Sequence, residues 1–301
     1  MKLAEKGFPY VMTLGLIFGS NMVISRFSIA QFTPVVFASL RFSLASLGYI
    51  VLYVLFKNRR FPRDLNLWKK ASLFGIGATA IPMIAFLTSL KYLSSGILSL
   101  LQTISPVIII LMAHFFLEDE RLTWLKAVGA VISFAGTALL VVSGETGLVE
   151  LGKADWRGYL YMCIAIFSIA LAVIFARKYL RDVDDFEVSS IQIFVSAAVC
   201  VPLALFTDGF DLGNVRPSGY AALVYISLVG TLFVFLLNFY VLKRFGAMVN
   251  AQVSYIIPLV AMMLGIIFLG EQLTWVMFAS MVLLLTGLTL LNWQPGARAA
   301  R

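Results

Sequence analysis

The chain has 301 residues, of which 61% are hydrophobic and 13% are charged, and its formal net charge is +8. A soluble domain carries about 25% charged residues, so this composition excludes a soluble globular protein and predicts that most of the apolar surface lies in lipid. The two cysteines, Cys163 and Cys200, exclude a disulfide framework and a Cys-x-x-Cys metal motif. The sequence contains no Walker A motif, which argues against ATP-driven transport by this chain.

Ten apolar runs follow one another along the chain, each close to the roughly 20 residues that a helix needs to cross a bilayer. The runs are continuous rather than alternating, which favours helices over a membrane barrel. The first run is too long for a cleaved signal peptide, so we expect it to be retained as a helix. The sequence therefore predicts an all-α membrane protein with ten transmembrane helices, at residues 9–27, 34–56, 68–90, 94–116, 122–143, 156–176, 188–206, 218–242, 247–269 and 273–293.

Basic residues are distributed unevenly between the two membrane faces that ten spans define. One face carries the termini and 17 of the 23 lysines and arginines, five lie on the other face, and Arg41 lies within a span. The positive-inside rule then places both termini in the cytoplasm and the chain in the inner (plasma) membrane. We interpret the positive charge as a topology and lipid-contact feature, and we expect no nucleic-acid partner. All five tryptophans fall at predicted span ends, where the indole ring prefers the interface.

The second half of the chain repeats the first. Segment 89–95 (SLKYLSS) resembles segment 241–247 (VLKRFGA), and Pro106 matches Pro258 at the same offset of 152 residues. Segment 120–124 (ERLTW) then matches segment 271–275 (EQLTW) at an offset of 151. Because the offset contains five spans, an odd number, the second copy must be inverted in the membrane. We predict a first repeat at 1–145, a second at 154–294 and a short cytoplasmic tail at 295–301. Inverted repeats are a recurrent architecture of secondary transporters.

These repeated segments resemble the EamA family of the drug/metabolite transporter superfamily. The first copy reads LKYLSSG at 90–96, SP at 105–106 and FLEDERL at 116–122, and the second reads LKRFGA at 242–247, IP at 257–258 and FLGEQL at 268–273. The resemblance covers nearly the whole chain. It implies the ten-helix type of fold, five plus five inverted, with a central cavity between the halves. It also implies the export or exchange of small metabolites, often amino acids or related compounds. The first span departs from the common Trp-Gly form of the family, since it reads FGSN at 18–21.

Arg41 is the one charged residue that the sequence places well inside a span. Polar groups at such depth are costly and mark functional sites by default. The functional interpretation is an anchor for a substrate carboxylate through bidentate hydrogen bonds. The alternative is an arginine that satisfies backbone carbonyls or extends toward the interface. In the repeat, Arg41 falls opposite Gln192.

Other polar side chains within the spans are candidates for the lining of the cavity. Each could equally form a hydrogen bond between two helices, a common use of amides in lipid. We favour Gln102 and Tyr255 because they precede the paired prolines Pro106 and Pro258, which bend helices and leave a carbonyl without its donor. The full set of candidates is Asn21, Gln102, Gln192, Asn238, Asn250, Gln252 and Tyr255.

Titratable groups near span ends are the remaining candidates. Glu120 and Glu271 each precede a Leu-Thr-Trp helix start, which favours a carboxylate that caps a helix N-terminus. His114 and Glu118 are candidates for proton coupling at the edge of the membrane. No Asp or Glu lies in the middle of a predicted span, so we predict no buried-carboxylate proton relay.

Small residues on the fifth span predict one static helix contact. Gly129, Ser133 and Thr137 form a stripe of small residues that suits close helix packing. We expect the contact within a repeat or between chains. The sequence leaves the oligomeric state open.

The leading functional hypothesis is a secondary transporter of small metabolites, with a small-molecule substrate and the lipid bilayer as its partners. We expect no cofactor, no metal and no enzymatic activity, because the sequence contains no catalytic set. Transport of another solute class, such as a nucleoside, a drug-like cation or a sugar, is the first alternative. A membrane sensor or scaffold without flux is the second.

Overall fold

The computed structural model describes residues 2–56, 61–117, 122–148, 155–181 and 183–293. Within these residues every regular element is a helix, and ten helices are long and apolar enough to cross a membrane. This confirms the predicted all-α fold with ten spans. We name the spans α1 to α10 in chain order: Lys6–Ile29, Pro34–Leu55, Leu65–Ser89, Ser95–Phe116, Trp124–Ser143, Trp156–Tyr179, Asp185–Thr207, Pro217–Phe245, Val249–Leu269 and Trp275–Asn292.

Some of the predictions from sequence fall outside the described residues. These are Glu118 and Glu120 after α4, several basic residues of the loops, and the tail at 295–301. Elsewhere the predicted spans overlap the observed ones throughout, and no span end differs by more than three residues.

The repeat is visible in the local hydrogen bonds that start the helices. Thr123 caps α5 by accepting from the Lys126 amide at 3.4 Å, and Thr274 caps α10 by accepting from the Met277 amide at 3.2 Å. Threonine is a good N-cap because its hydroxyl satisfies an amide that has no partner inside the helix. A tryptophan follows each cap, so matching sequences give matching helix starts near the interface.

The packing of the helices follows a two-fold exchange in which each of α1–α5 is replaced by the helix five positions later. Helix α1 packs on α9 as α6 packs on α4, and α3 packs on α6 as α8 packs on α1. Helix α3 likewise packs on α7 as α8 packs on α2, while the pairs α2–α7, α4–α9 and α5–α10 map onto themselves. Since five is odd, the two sets of helices cross the membrane in opposite directions, as in inverted-repeat transporters.

Helices α5 and α10 form a close contact through the stripe of small residues. A Cβ on Gly129 would lie 2.6 Å from the Gly287 carbonyl oxygen, and a Cβ on Gly287 would lie 2.8 Å from the Ser133 amide. The expectation that this stripe makes a contact within a repeat or between chains is wrong, because its partner is the matching helix of the other half of the same chain. Thr137 lies beside the contact and donates its hydroxyl to the Ser133 carbonyl at 3.1 Å.

Two membrane helices contain a wider turn at positions related by the repeat. Helix α3 has a π-helical segment at Ile76–Ala80, and α8 has one at Leu228–Phe233, with starts 152 residues apart. A π-helical turn leaves carbonyl groups out of the regular hydrogen-bond pattern and is frequent at functional sites.

The paired prolines, in contrast, act differently in the two halves. Helix α4 is interrupted, since one segment ends at Gln102 and the next begins at Ser105 with Pro106 in its first turn. Pro258 instead lies inside the segment Val253–Leu269. The kink predicted at Pro106 coincides with an interruption of the regular helix at Thr103 and Ile104, whose backbone angles stay helical, whereas Pro258 lies within a continuous segment.

Candidate functional site

A cavity of about 150 Å³ lies where α1, α2, α3, α4, α6 and α8 meet. Cavities of about this size hold a ligand as large as benzene. Most of the wall is apolar, from phenylalanine, methionine and isoleucine side chains, and a few polar groups interrupt it. Three of the residues predicted from sequence line it together: Asn21, Arg41 and Gln102.

The cavity does not use the two halves equally. Helices α1 and α6 exchange under the repeat, as do α3 and α8, and all four line the cavity. Helices α2 and α4 also line it, but their counterparts α7 and α9 do not. The site therefore lies between the halves but is asymmetric.

Arg41 is 5% exposed and directs its guanidinium group into the cavity wall. Its Nε donates to the Thr231 hydroxyl at 2.7 Å, and its Nη2 makes a long hydrogen bond to the Gly230 carbonyl at 3.4 Å. Its Nη1 faces the Met83 sulfur at 3.6 Å. Among the described residues, the cavity lining contains no Asp or Glu. The arginine thus satisfies a carbonyl, as one interpretation of the sequence held, yet in the described part of the chain it is a buried cation without a counter-ion, a costly arrangement in an apolar site.

The π-helical segment of α8 explains how Arg41 and Asn21 find their partners. Both side chains bond the same carbonyl, because Asn21 Nδ2 donates to the Gly230 oxygen at 2.8 Å. Gly230 also leaves the space for this approach, since a Cβ there would overlap Asn21 Oδ1 and lie 2.7 Å from its Cγ. The bond to a carbonyl fixes the orientation of the Asn21 amide, so its oxygen is free to accept a further hydrogen bond.

The other half contains a neutral version of the same arrangement. Gln192 in α7 donates its Nε2 to the Thr79 hydroxyl, and Thr79 precedes Thr231 by 152 residues. Ser168 in α6 donates to the Gly77 carbonyl at 2.6 Å, within the π-helical segment of α3. Gln192 is buried but does not line the cavity. Matching backbones therefore hold an arginine in one half and an amide in the other.

Four side-chain oxygens of the cavity lining are buried without a hydrogen-bond partner in the described part of the chain. They are Asn21 Oδ1, Ser25 Oγ, Gln102 Oε1 and Ser105 Oγ. Buried polar atoms are nearly always satisfied by protein, water or ligand, so these four oxygens are groups of the lining residues that can form further hydrogen bonds. The sequence reasoning missed Ser25, Gly230 and Thr231 as part of the site. Ser25 could have been found, because it lies four residues after Asn21 and hence on the same helix face.

The other predicted site residues lie away from the cavity. The Tyr255 hydroxyl accepts from Asn292 Nδ2 at 3.3 Å and so connects α9 to α10, while Gln252 is exposed at the start of a helix segment. Asn238 and Asn250 are half-buried and do not line the cavity. The placement of Asn250, Gln252 and Tyr255 follows from the asymmetry of the site, since α9 contributes nothing to it, whereas Asn238 lies in α8 beyond the part of that helix that lines the cavity.

The candidates for proton coupling also lie apart from the cavity. His114 is exposed at the end of α4, where its Nδ1 accepts a hydrogen bond from the Leu122 amide at 3.3 Å. Glu118 lies outside the described residues.

Glu271 caps a helix, as predicted, but not the helix that it precedes. Thr274 caps that helix, α10, while the Glu271 carboxylate bonds to the start of α4. The sequence motif thus indicated the type of interaction correctly and the partner wrongly.

The chain is similar over most of its length to a family of transporter proteins. A model of the EamA-like transporter family matches residues 5–142 and again 156–293. An "Uncharacterized transporter" of Archaeoglobus fulgidus is 25% identical and is matched over 87% of this chain and 90% of its own length. The "Uncharacterized transporter YvbV" of Bacillus subtilis is 23% identical over 95% of this chain and 92% of its own length.

A solved crystal structure shares the fold. It superimposes with a TM-score of 0.68 over 99% of both chains, at 17% sequence identity. At this identity the likeness concerns the fold alone.

Proposed function

Because the chain belongs to the EamA-like transporter family, we propose that it is a secondary transporter that moves small amphipathic metabolites by alternating access. Amino acids and related compounds are the substrates that we place first, by export or exchange across the inner membrane. The single observation that carries this proposal is Arg41, a buried cation that faces a cavity without an acidic partner among the described residues.

The chemistry of the cavity selects the substrate class. A carboxylate is the ligand that would neutralise Arg41, and a charge-assisted pair is strongest in such a water-poor site. The unpaired oxygens of Asn21, Ser25, Gln102 and Ser105 offer acceptors for an ammonium, amide or hydroxyl group of the same solute. The apolar wall suits a hydrocarbon body. A carboxylate together with a hydrogen-bond donor and an apolar side chain describes an amino acid or a close relative.

The asymmetry of the cavity supports alternating access. Exchange of the two halves would replace α2 and α4 in the lining by α7 and α9. Under the repeat, Gln192 takes the place of Arg41 and Ser254 takes the place of Gln102. The opposite state would therefore present a neutral site with a lower affinity for a carboxylate. This difference in affinity between the two states would favour release of the substrate on that side.

Neutral solutes such as nucleosides or sugars are the second candidate class, because the four unpaired oxygens suit hydroxyl-rich molecules. Drug-like cations fit less well, since Arg41 would repel them. A sensor or scaffold without flux gives no use for a buried cation that has no acidic partner among the described residues of a cavity between the two halves.

Orientation and coupling are separate parts of the proposal. We place both termini in the cytoplasm because of the uneven distribution of basic residues, and impermeant labelling of a cysteine added near either terminus tests this. Coupling to protons, if present, would use edge groups such as His114 or Glu118 rather than a mid-membrane carboxylate. Transport titrated against pH in His114→Gln and Glu118→Gln variants tests the coupling, and intact proton dependence in both would exclude these groups.

The decisive experiment is uptake of radiolabelled amino acids, nucleosides and sugars into proteoliposomes. Arg41→Ala should abolish transport of carboxylate-bearing solutes. Arg41→Lys should restore transport only in part, because lysine lacks the planar guanidinium group that donates two parallel hydrogen bonds to a carboxylate. Gln192→Ala is the matched control, because Gln192 is a buried polar residue that also donates to a threonine but does not itself line the cavity. Normal transport of carboxylates by Arg41→Ala, with the protein folded, would refute the role of Arg41 as an anchor.

A further inference from the structure

Glu271 makes an unusual contact between the two halves on the membrane face opposite the termini. It lies in the connection between α9 and α10, and it is 6% exposed. Its Oε1 accepts from the Ser95 amide at 2.8 Å, and its Oε2 accepts from the Ser95 hydroxyl at 2.8 Å and the Gly96 amide at 3.1 Å. Three donors and the positive end of the α4 helix thus hold one carboxylate.

Neighbouring glycines leave the space for this carboxylate. A Cβ on Gly265 would overlap Glu271 Oε2 and lie 2.9 Å from the Ser95 hydroxyl. The chain also turns back at this point, because the Glu271 amide donates to the Gly265 carbonyl at 3.2 Å. A second bond between the halves lies next to it, from the Gln272 amide to the Gly147 carbonyl at 3.0 Å.

The segment that Glu271 holds leads directly to the cavity. Ser95–Gln102 is a short helix of eight residues, about 12 Å long at 1.5 Å per residue. It is buried from Ser95 to Leu101 and ends at Gln102, which lines the cavity. Thr103 and Ile104 follow it with helical backbone angles but interrupt the regular helix before Ser105. Because the segment is short, helical and buried, we expect a displacement of its first residue to reach its last.

We propose that Glu271 is a latch between the halves and a positioning residue for the cavity: its carboxylate closes the face opposite the termini and fixes Gln102 through the segment Ser95–Gln102. This inference rests on the proposed transport function, because opening of that face in the transport cycle requires the latch to separate. A cleft that includes Arg26, Arg216 and Glu271 reaches the latch from the same face.

The latch can be tested by the access of a cysteine reagent to the cavity. The reporter is Ala165→Cys, a lining position without a polar contact, in a chain that carries Cys163→Ala and Cys200→Ala. A membrane-impermeant maleimide is added to the face opposite the termini of sealed vesicles. Glu271→Gln keeps the size of the side chain but replaces one acceptor oxygen by a donor, so labelling should accelerate on the order of tenfold.

Two further variants separate the latch from general loosening of the fold. Ser95→Ala removes one of the three bonds and keeps the carboxylate, so it should accelerate labelling by a smaller factor, even where Glu271→Gln disturbs folding. Gln272→Ala is the matched control, because its side chain is exposed and its backbone bond is kept. Labelling of Glu271→Gln and Ser95→Ala at the wild-type rate, or equal acceleration in all three variants, would overturn the latch.

The labelling result is independent of the substrate. If Glu271 variants open the cavity while no solute in the uptake panel moves, the latch stands and the proposed transport function fails. If carboxylates are transported through Arg41 while labelling is unaffected, the transport function stands and the latch is refuted.

Discussion

Gly230→Ala should weaken substrate binding without weakening the fold. A Cβ on Gly230 would overlap Asn21 Oδ1 and lie 2.7 Å from Asn21 Cγ and 2.8 Å from Nδ2. All three atoms belong to one side chain, so α1 and α8 need not separate. Asn21 must instead rotate away, which breaks its 2.8 Å hydrogen bond to the Gly230 carbonyl and removes its oxygen from the cavity.

The size of the effect follows from the bonds that are lost. A neutral hydrogen bond contributes about 0.5–1.5 kcal/mol net, and 1.4 kcal/mol corresponds to a factor of ten in affinity. We therefore expect the substrate concentration at half-maximal uptake to rise about two- to tenfold. Alanine is favoured over glycine in a helix by up to about 1 kcal/mol, so the melting temperature in detergent should stay the same or increase.

The assay combines uptake into proteoliposomes with a melting curve of the purified protein. Gly77→Ala is the matched control, since it lies in the other π-helical segment and its Cβ would contact only Ala172 Cβ at an ordinary 3.4 Å. If the effect passes through Asn21, the double variant Asn21→Ala, Gly230→Ala should behave like Asn21→Ala alone. Additive losses, or unchanged half-saturation in Gly230→Ala, would refute the reasoning.

Three further predictions concern the contact between α5 and α10, the hydrogen bond of Arg41 and the exchange of the two halves during transport. Gly287→Ala should lower the melting temperature in detergent, because its Cβ would lie 2.8 Å from the Ser133 amide. Overpacking of this kind costs about 1–3 kcal/mol of stability. An unchanged melting curve would contradict the close contact of α5 and α10. Thr231→Val removes the hydroxyl that accepts from Arg41 Nε at 2.7 Å, so uptake of carboxylates at low concentration should fall about tenfold. Thr79→Val, which removes the hydroxyl that accepts from Gln192, should have a smaller effect. Equal losses in the two variants would argue against a special role of Arg41. The variant Ser254→Cys should react with a maleimide faster during transport than without substrate, because alternating access brings α9 to the cavity. Identical labelling rates would contradict the proposed exchange of the two halves.

Much of the fold was determined by the sequence alone, because the responsible physics is local or follows from a simple count. A run of about 20 apolar residues must cross the bilayer as a helix, since no other backbone hydrogen-bond partner exists there. The threonine caps at Thr123 and Thr274 and the glycine C-caps at Gly144 and Gly270 act within one helical turn. Asn21, Arg41 and Gln102 could likewise be singled out, because a polar side chain in a span is costly wherever the neighbouring helices lie.

The tertiary structure decided which of these polar groups meet. Arg41 and Thr231 are 190 positions apart, and their contact depends on how α2 packs on α8. The sequence motif around Glu271 predicted a helix cap, but only packing of the two halves could identify the start of α4 as its partner, 176 positions away. The asymmetry of the cavity, which includes α2 and α4 but excludes α7 and α9, also had no local signal. Two nearly matching repeats can pack in either of two exchanged arrangements, and the choice between them is a property of the assembled helices, not of any segment.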